Sequence, residues 1–205
     1  MLDYTAGEFR RCRKWQIRSI LIGVWTRDTE LFLAEGNIVS TPKLVLFIIS
    51  FVILSALLVS DEEHFIFVID HANLLFHEAG HLIFGFLGPS AGLYGGTLGQ
   101  LTILVICGVA FFMHKSWVSL SVIMLWFVEN LFNIALYVAD ARSQMLPLVG
   151  SGEHDWANIL SRWAALQYDT TISAMLIAIG WLGLIATIAW TAFLWWQCRM
   201  FYGGR

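Results

Sequence analysis

The chain has 205 residues, of which 58% are apolar and 13% are charged, and its mean hydropathy is +0.71. This composition excludes an ordinary water-soluble domain and predicts an all-α, polytopic membrane helix bundle. The net charge is -3 and the basic residues are concentrated near the N-terminus, which argues against nucleic-acid binding and favours contact with the anionic headgroups of a lipid bilayer.

The first 42 residues are predicted to form a cytoplasmic juxtamembrane arm, followed by a transmembrane domain over residues 43–205. Within the segment RKWQIRSILIGVW, one helical face carries four apolar residues: Ile17, Ile20, Leu21 and Val24. Such a face is typical of a helix that lies in the membrane interface, although an ordinary juxtamembrane helix fits the segment equally well. The arm contains acidic residues and no compact apolar core, so we expect no cleavable signal peptide.

Five apolar stretches approach or exceed the roughly 20 residues that a membrane span needs. They cover residues 43–60, 64–88, 97–113, 117–139 and 171–197. Seven of the 12 Lys and Arg residues precede or begin the first stretch. The positive-inside rule therefore predicts a cytoplasmic N-terminus and, after five spans, an external C-terminus, with nine basic residues inside and three outside.

The second stretch contains HEAGH, which fits the motif H-E-x-x-H at His77, Glu78 and His81. Four residues of helix rotate about 400°, so the two imidazoles lie on one face, one turn apart. Two such histidines bind a divalent metal, usually zinc, and the glutamate acts as a general base. Ionisable groups inside a membrane are costly and mark a functional site by default, although these residues could instead satisfy one another as buried polar groups.

Two further polar residues, Asp70 and Asn73, fall on the helix face that carries His77 and His81. A metal-bound histidine usually donates its other ring nitrogen to a carboxylate or a carbonyl group. Asp70 and Asn73 are therefore candidates for the partners that accept these hydrogen bonds. The alternative is that they contact a neighbouring span.

The segment GPSAGLYGGTLGQ, residues 88–100, contains five glycines at the junction of the second and third stretches. It predicts either a re-entrant segment or a tight hairpin. Gly95 and Gly99 form a small-xxx-small pair, which more often indicates close packing of helices than chemistry.

A catalytic zinc ion needs a third protein ligand and an open position for water. The candidates are Glu129, Asp140, His154 and Asp155. Measured along straight helices, Glu129 lies about as deep as His77, roughly 20 Å into its span, whereas Asp140 lies about 35 Å along its own. Helix geometry thus favours Glu129, unless the fourth helix is broken or tilted or the polar loop DARSQMLPLVGSGEHDW folds back to the histidines.

HEAGH in a transmembrane helix, followed by ENLFNIALYVAD, resembles the site-2-protease-type intramembrane zinc metalloproteases. More narrowly, the chain resembles a group of short bacterial membrane proteins classed as zinc-metallopeptidase-like. The resemblance lies in the motifs FHEAGH, GGTLGQ, YVADAR, LPL and HDW. The resemblance covers about residues 70–156 and implies Asp140 as the third zinc ligand, with His154 as a competitor. It also implies a location in the bacterial inner membrane. The Asp-Gly step of the site-2 pattern is missing, since Ala141 follows Asp140.

The predicted function is hydrolysis of a peptide bond in a membrane-embedded protein substrate. Zinc acidifies a bound water, Glu78 takes the water's proton and passes it to the leaving amine, and Asn130 or Asn133 holds the oxyanion. The alternative is a non-catalytic, metal-binding accessory subunit of a membrane protein complex. A haem or di-iron centre fits less well, because His77 and His81 share one helix.

Overall fold

The structure, a computed structural model, describes residues 41–60, 67–147 and 153–202. These residues form six α-helices: α1 (Thr41–Ser60), α2 (Phe67–Gly85), α3 (Pro89–Met113), α4 (Trp117–Ala139), α5 (Asp155–Arg162) and α6 (Asp169–Tyr202). A 3-10 turn, Leu166–Tyr168, leads into α6, and the described ranges contain no strand. The all-α prediction is therefore confirmed for the part of the chain described, whereas the predicted interfacial helix lies outside it.

Three segments are long and apolar enough to cross a membrane: α3, α4 and Leu166–Gln197, which includes most of α6. Each exceeds the length of about 20 residues that a bilayer requires. Large apolar side chains such as Val105, Ile106 and Ile185 are more than half exposed on these helices, as expected of surfaces that face lipid. Neither α1 nor α2 meets the same criterion over its described residues, and α2 departs from it because polar side chains interrupt it.

The connection between α2 and α3 is a tight hairpin. Gly88 has a φ of +116°, a conformation that favours glycine, and the following Pro89 starts α3 with its fixed φ. Beyond the turn, the backbones almost touch: a Cβ on Gly95 would lie 2.6 Å from the Gly80 carbonyl oxygen, and one on Gly99 would lie 2.6 Å from the Gly80 Cα. The glycine-rich segment is therefore the first half of α3, and the predicted close helix packing is confirmed.

The main apolar core lies where α4 packs against α6. Val128 and Phe132 of α4 are buried against Leu184 of α6, and a Cβ on Gly180 would come within 2.8 Å of the Phe132 ring. The same helix α4 turns a second, polar face towards α2 and α3. The short helix α5 packs against α3 and α4, so the residues that begin it lie beside the bundle.

Candidate metal centre

Three side chains from two distant parts of the chain converge on one point. Nε2 of His77 lies 2.8 Å from Oδ2 of Asp155, and Nε2 of His81 lies 3.0 Å from the same oxygen. These three atoms are close enough together to bind a single metal ion. Tetrahedral zinc with bonds of about 2.0–2.1 Å separates its ligand atoms by about 3.3 Å, so a small outward adjustment would accommodate the ion.

The packing of α2 against α3 places the two histidines. They are one helical turn apart on α2, with ring centroids separated by 4.7 Å. The His77 imidazole occupies space that a side chain at Gly96 would fill. The His77 side chain is 9% exposed and that of His81 is 27% exposed, so the centre is more accessible beside His81.

The other ring nitrogen of each histidine faces an oxygen acceptor. Nδ1 of His81 donates to the Gly92 carbonyl oxygen at 2.8 Å, and Nδ1 of His77 donates to Oε1 of Gln100 at 3.4 Å. A hydrogen on each Nδ1 would leave both Nε2 atoms as ligands for an ion held between them and Asp155. Two imidazoles and one carboxylate form the donor set of a catalytic zinc site, so the residues fit this metal.

Asp155 is positioned by the start of α5. The preceding residue, His154, caps this helix, because its Nδ1 accepts a hydrogen bond from the Ala157 N–H at 3.2 Å. The backbone N–H of Asp155 donates to the Tyr137 hydroxyl oxygen at 3.2 Å. A helix cap and a tyrosine of α4 thus fix the backbone from which the carboxylate reaches the histidines.

The structure does not bring Asp140, the predicted third ligand, into this group of metal-binding atoms. Its carboxylate instead accepts hydrogen bonds from the Ser143 hydroxyl at 2.6 Å and from the N–H groups of Met145 and Leu146 at 2.9 and 3.0 Å. Burial raises the pKa of Asp140, but these hydrogen bonds outweigh it and hold the pKa below its ordinary value. Asp140 is therefore an ionised residue that organises the turn after α4.

His154, the predicted competitor, supports the centre from outside. Its Nε2 lies 3.4 Å from Oδ2 of Asp140, and its ring stacks on Tyr137 with the centroids 4.2 Å apart. Burial lowers the pKa of His154, although the Asp140 carboxylate opposes this, so the ring is neutral at pH 7. Since its Nδ1 caps α5, His154 links the Asp140 turn to Asp155 rather than offering that nitrogen to a metal.

The remaining predicted acid and amide residues belong to a buried polar cluster between α2 and α4. Asn73 donates to Oε2 of Glu129 at 3.0 Å and accepts a hydrogen bond from the Trp126 indole at 2.9 Å. Asp70 accepts a hydrogen bond from the Asn133 amide at 2.6 Å. Glu129, which helix depth favoured as a ligand, is thus engaged with Asn73 and is not in the metal-binding group.

Glu78, the predicted base, is half-buried and makes no hydrogen bond to any described residue. Its carboxylate lies close enough to the Tyr137 hydroxyl to act on it electrostatically. Sequence reasoning did not select Tyr137 or Gln100 as site residues. Both lie inside the quoted motifs, Tyr137 in YVADAR and Gln100 in GGTLGQ, so the motifs contained a signal for them.

Comparison with known protein families, with curated proteins and with solved structures gives no match. The resemblance to intramembrane zinc metalloproteases stays a prediction. Any assignment of function therefore rests on the geometry of the His77, His81 and Asp155 group and on the residues around it.

Proposed function

We propose that the protein is a zinc-dependent peptidase that cuts a membrane-embedded protein substrate. The observation that carries this proposal is the convergence of His77, His81 and Asp155, with Glu78 next to His77 in the chain. When bound, zinc would lower the pKa of a water molecule and polarise the substrate carbonyl.

Each polar residue then has a defined task. His77, His81 and Asp155 would hold the ion, and Glu78 would accept the proton of the attacking water and deliver it to the leaving amine. The Tyr137 oxygen already accepts the Asp155 N–H, so its own hydrogen is directed elsewhere and can be donated to the carbonyl oxygen as negative charge develops there.

Of the two asparagines predicted to hold the oxyanion, Asn133 is already engaged, because its amide bonds both Asp70 and Gln100. The Asn130 amide has no hydrogen-bond partner among the described residues, but it is fully buried, so a substrate carbonyl cannot reach it in this arrangement. We therefore assign the oxyanion role to Tyr137.

We also propose that α1 and α2 cross the membrane with the three apolar segments described above, which gives five spans. The polar residues of α2 face a buried cluster and the metal centre, so they do not prevent a span. The basic N-terminal arm favours a cytoplasmic N-terminus. The resemblance to short bacterial membrane proteins supports a location in the bacterial inner membrane.

The five-span arrangement predicts termini on opposite sides of the membrane. A reporter that is active only in the cytoplasm, fused in turn to each end of the chain, should be active at the N-terminus and inactive at the C-terminus. The expected difference follows from the nine-to-three bias of basic residues. Activity at both ends would show that the number of spans is even.

The experiment that tests the peptidase is cleavage by the purified, zinc-loaded protein in lipid vesicles. A panel of single-span transmembrane peptides is incubated with the protein, and the products are identified by mass spectrometry. We expect cleavage that a chelator abolishes and that added zinc restores. Stoichiometric zinc without cleavage of any peptide would contradict the peptidase and favour the accessory subunit.

A further inference from the structure

A chain of side-chain hydrogen bonds connects the metal centre to Asp70, a carboxylate buried between the helices. Oδ1 of Asp70 accepts from Nδ2 of Asn133 at 2.6 Å, and Oδ1 of Asn133 accepts from Nε2 of Gln100 at 3.3 Å. Oε1 of Gln100 then faces Nδ1 of His77 at 3.4 Å. Three helices contribute to the chain: α2, α3 and α4.

Asp70 determines which group donates and which accepts in each of these hydrogen bonds. An ionised carboxylate can only accept hydrogen bonds, whereas an amide donates at its nitrogen and accepts at its oxygen. The Asn133 nitrogen must therefore face Asp70, which turns its oxygen to Gln100, and the Gln100 nitrogen must face Asn133, which turns its oxygen to His77. Only a hydrogen on Nδ1 of His77 completes this arrangement, and the Asp155 carboxylate, 2.8 Å from Nε2, competes with it when no metal is bound.

We propose that Asp70, acting through Asn133 and Gln100, is a positioning residue that selects the Nδ1–H tautomer of His77. This tautomer leaves the Nε2 lone pair free for a metal ion, whereas the other tautomer places a hydrogen there. The proposal rests on the metal centre of the proposed function but does not depend on peptide hydrolysis.

The burial of Asp70 and Gln100 strengthens their effect on the His77 tautomer. Asp70 and Gln100 are each 4% exposed, so solvent has little access to replace a lost partner or reverse the chain. The second histidine, His81, also carries its hydrogen on Nδ1, but a single contact is enough to place it there. Its Nδ1 faces the Gly92 carbonyl oxygen, which can only accept a hydrogen bond. Different hydrogen-bond partners therefore set the tautomers of the two histidines. Substitution of Asp70 should change the tautomer of His77 and leave that of His81 unchanged.

Two substitutions test the direction of the chain. In Asp70→Asn the new amide can donate as well as accept, so the chain can reverse and present the Gln100 nitrogen to His77. In the double variant Asp70→Asn/Gln100→Glu, the carboxylate lies next to His77 and again requires a hydrogen on Nδ1. The Asn133 amide can then donate to Glu at 100 and accept from Asn at 70, so every member retains a partner and the total charge is unchanged.

The first measurement is the tautomer of His77 in metal-free Asp155→Ala protein, in which no carboxylate competes for a hydrogen on Nε2. It is read from the ring-nitrogen NMR signals of histidine-labelled protein in micelles and assigned with His77→Ala. In this background we expect Nδ1–H with Asp70 in place, a mixture of tautomers after Asp70→Asn and Nδ1–H again after Asp70→Asn/Gln100→Glu. A hydrogen on Nε2 of His77 in Asp155→Ala with Asp70 in place would overturn the proposal.

The second measurement is zinc affinity by competition with a chelator. Asp70→Asn should weaken binding by roughly 10 to 100-fold, the effect typical of outer partners of a metal ligand, and the double variant should restore it. Gln100→Leu should weaken binding similarly, whereas Gln167→Leu, the same change at an exposed residue after α5, should not. A folded double variant that stays as weak as Asp70→Asn, or unchanged affinity in Gln100→Leu, would refute the role of the chain.

Discussion

Glu78→Gln is expected to keep zinc and to lose peptide hydrolysis. The amide has nearly the same size as the carboxylate but cannot accept the proton of the attacking water. A positioned general base contributes about 10²–10⁴-fold to the rate, so kcat should fall by about that factor. Metal content should stay at the wild-type level, because Glu78 is not one of the three residues that converge as ligands.

The matched control for this variant is Glu153→Gln, which makes the same change at an exposed residue before α5. It should cleave transmembrane peptides at the wild-type rate. The role of Glu78 would be rejected if Glu78→Gln, folded and loaded with zinc, cleaved the same peptides as fast as this control.

Asp155→Asn is expected to produce the largest loss of zinc affinity among the acid-to-amide changes. Its Oδ2 lies within 3.0 Å of both histidine nitrogens, and an amide oxygen carries no charge to offset that of the ion. The loss should exceed the roughly 100-fold upper range of outer partners, since a direct ligand is removed. Chelator competition on the purified variants measures it.

Asp140→Asn is the informative comparison, because Asp140 bonds the turn after α4 and contacts His154. We expect a loss of about 10-fold or less, caused by a looser start of α5. Glu129→Gln should change affinity less than Asp155→Asn as well. A larger loss in Asp140→Asn than in Asp155→Asn would reverse the assignment and restore the ligand that the family resemblance implied.

The sequence predicted the local features of this protein well. The spacing of His77 and His81 placed both on one face of α2, and the Gly95 and Gly99 pair indicated the close approach of α2 to α3. Both features depend on a repeat within one helix, and such repeats are fixed by backbone geometry.

The third member of the His77, His81 and Asp155 group could not be predicted in the same way. His77 and Asp155 are 78 residues apart, and their contact depends on where α5 packs against α3 and α4. Depth along straight helices favoured Glu129 of α4. The carboxylate that faces the histidines belongs instead to Asp155, in the first turn of α5. The acids at 140 and 155 are alike in type, and only the capping and turn contacts show which one faces the histidines.

The polar chain from Asp70 to His77 was predicted only in part. The shared helix face suggested a link between these residues, but the link passes through Asn133 and Gln100 on two other helices. Their side chains meet only after α2, α3 and α4 have packed. Periodicity along α2 alone carries no information about such partners.

The most direct test of the metal centre is the zinc content of the purified protein, measured by elemental analysis beside His77→Ala/His81→Ala and a His114→Ala control. The two paired histidines supply two of the three converging ligand atoms, whereas His114 lies at the end of α3 outside that group. We predict about one zinc per chain in the wild type and the control, and none in the double variant. Stoichiometric zinc in the double variant, or a zinc-free wild type after zinc supplementation, would contradict the assignment.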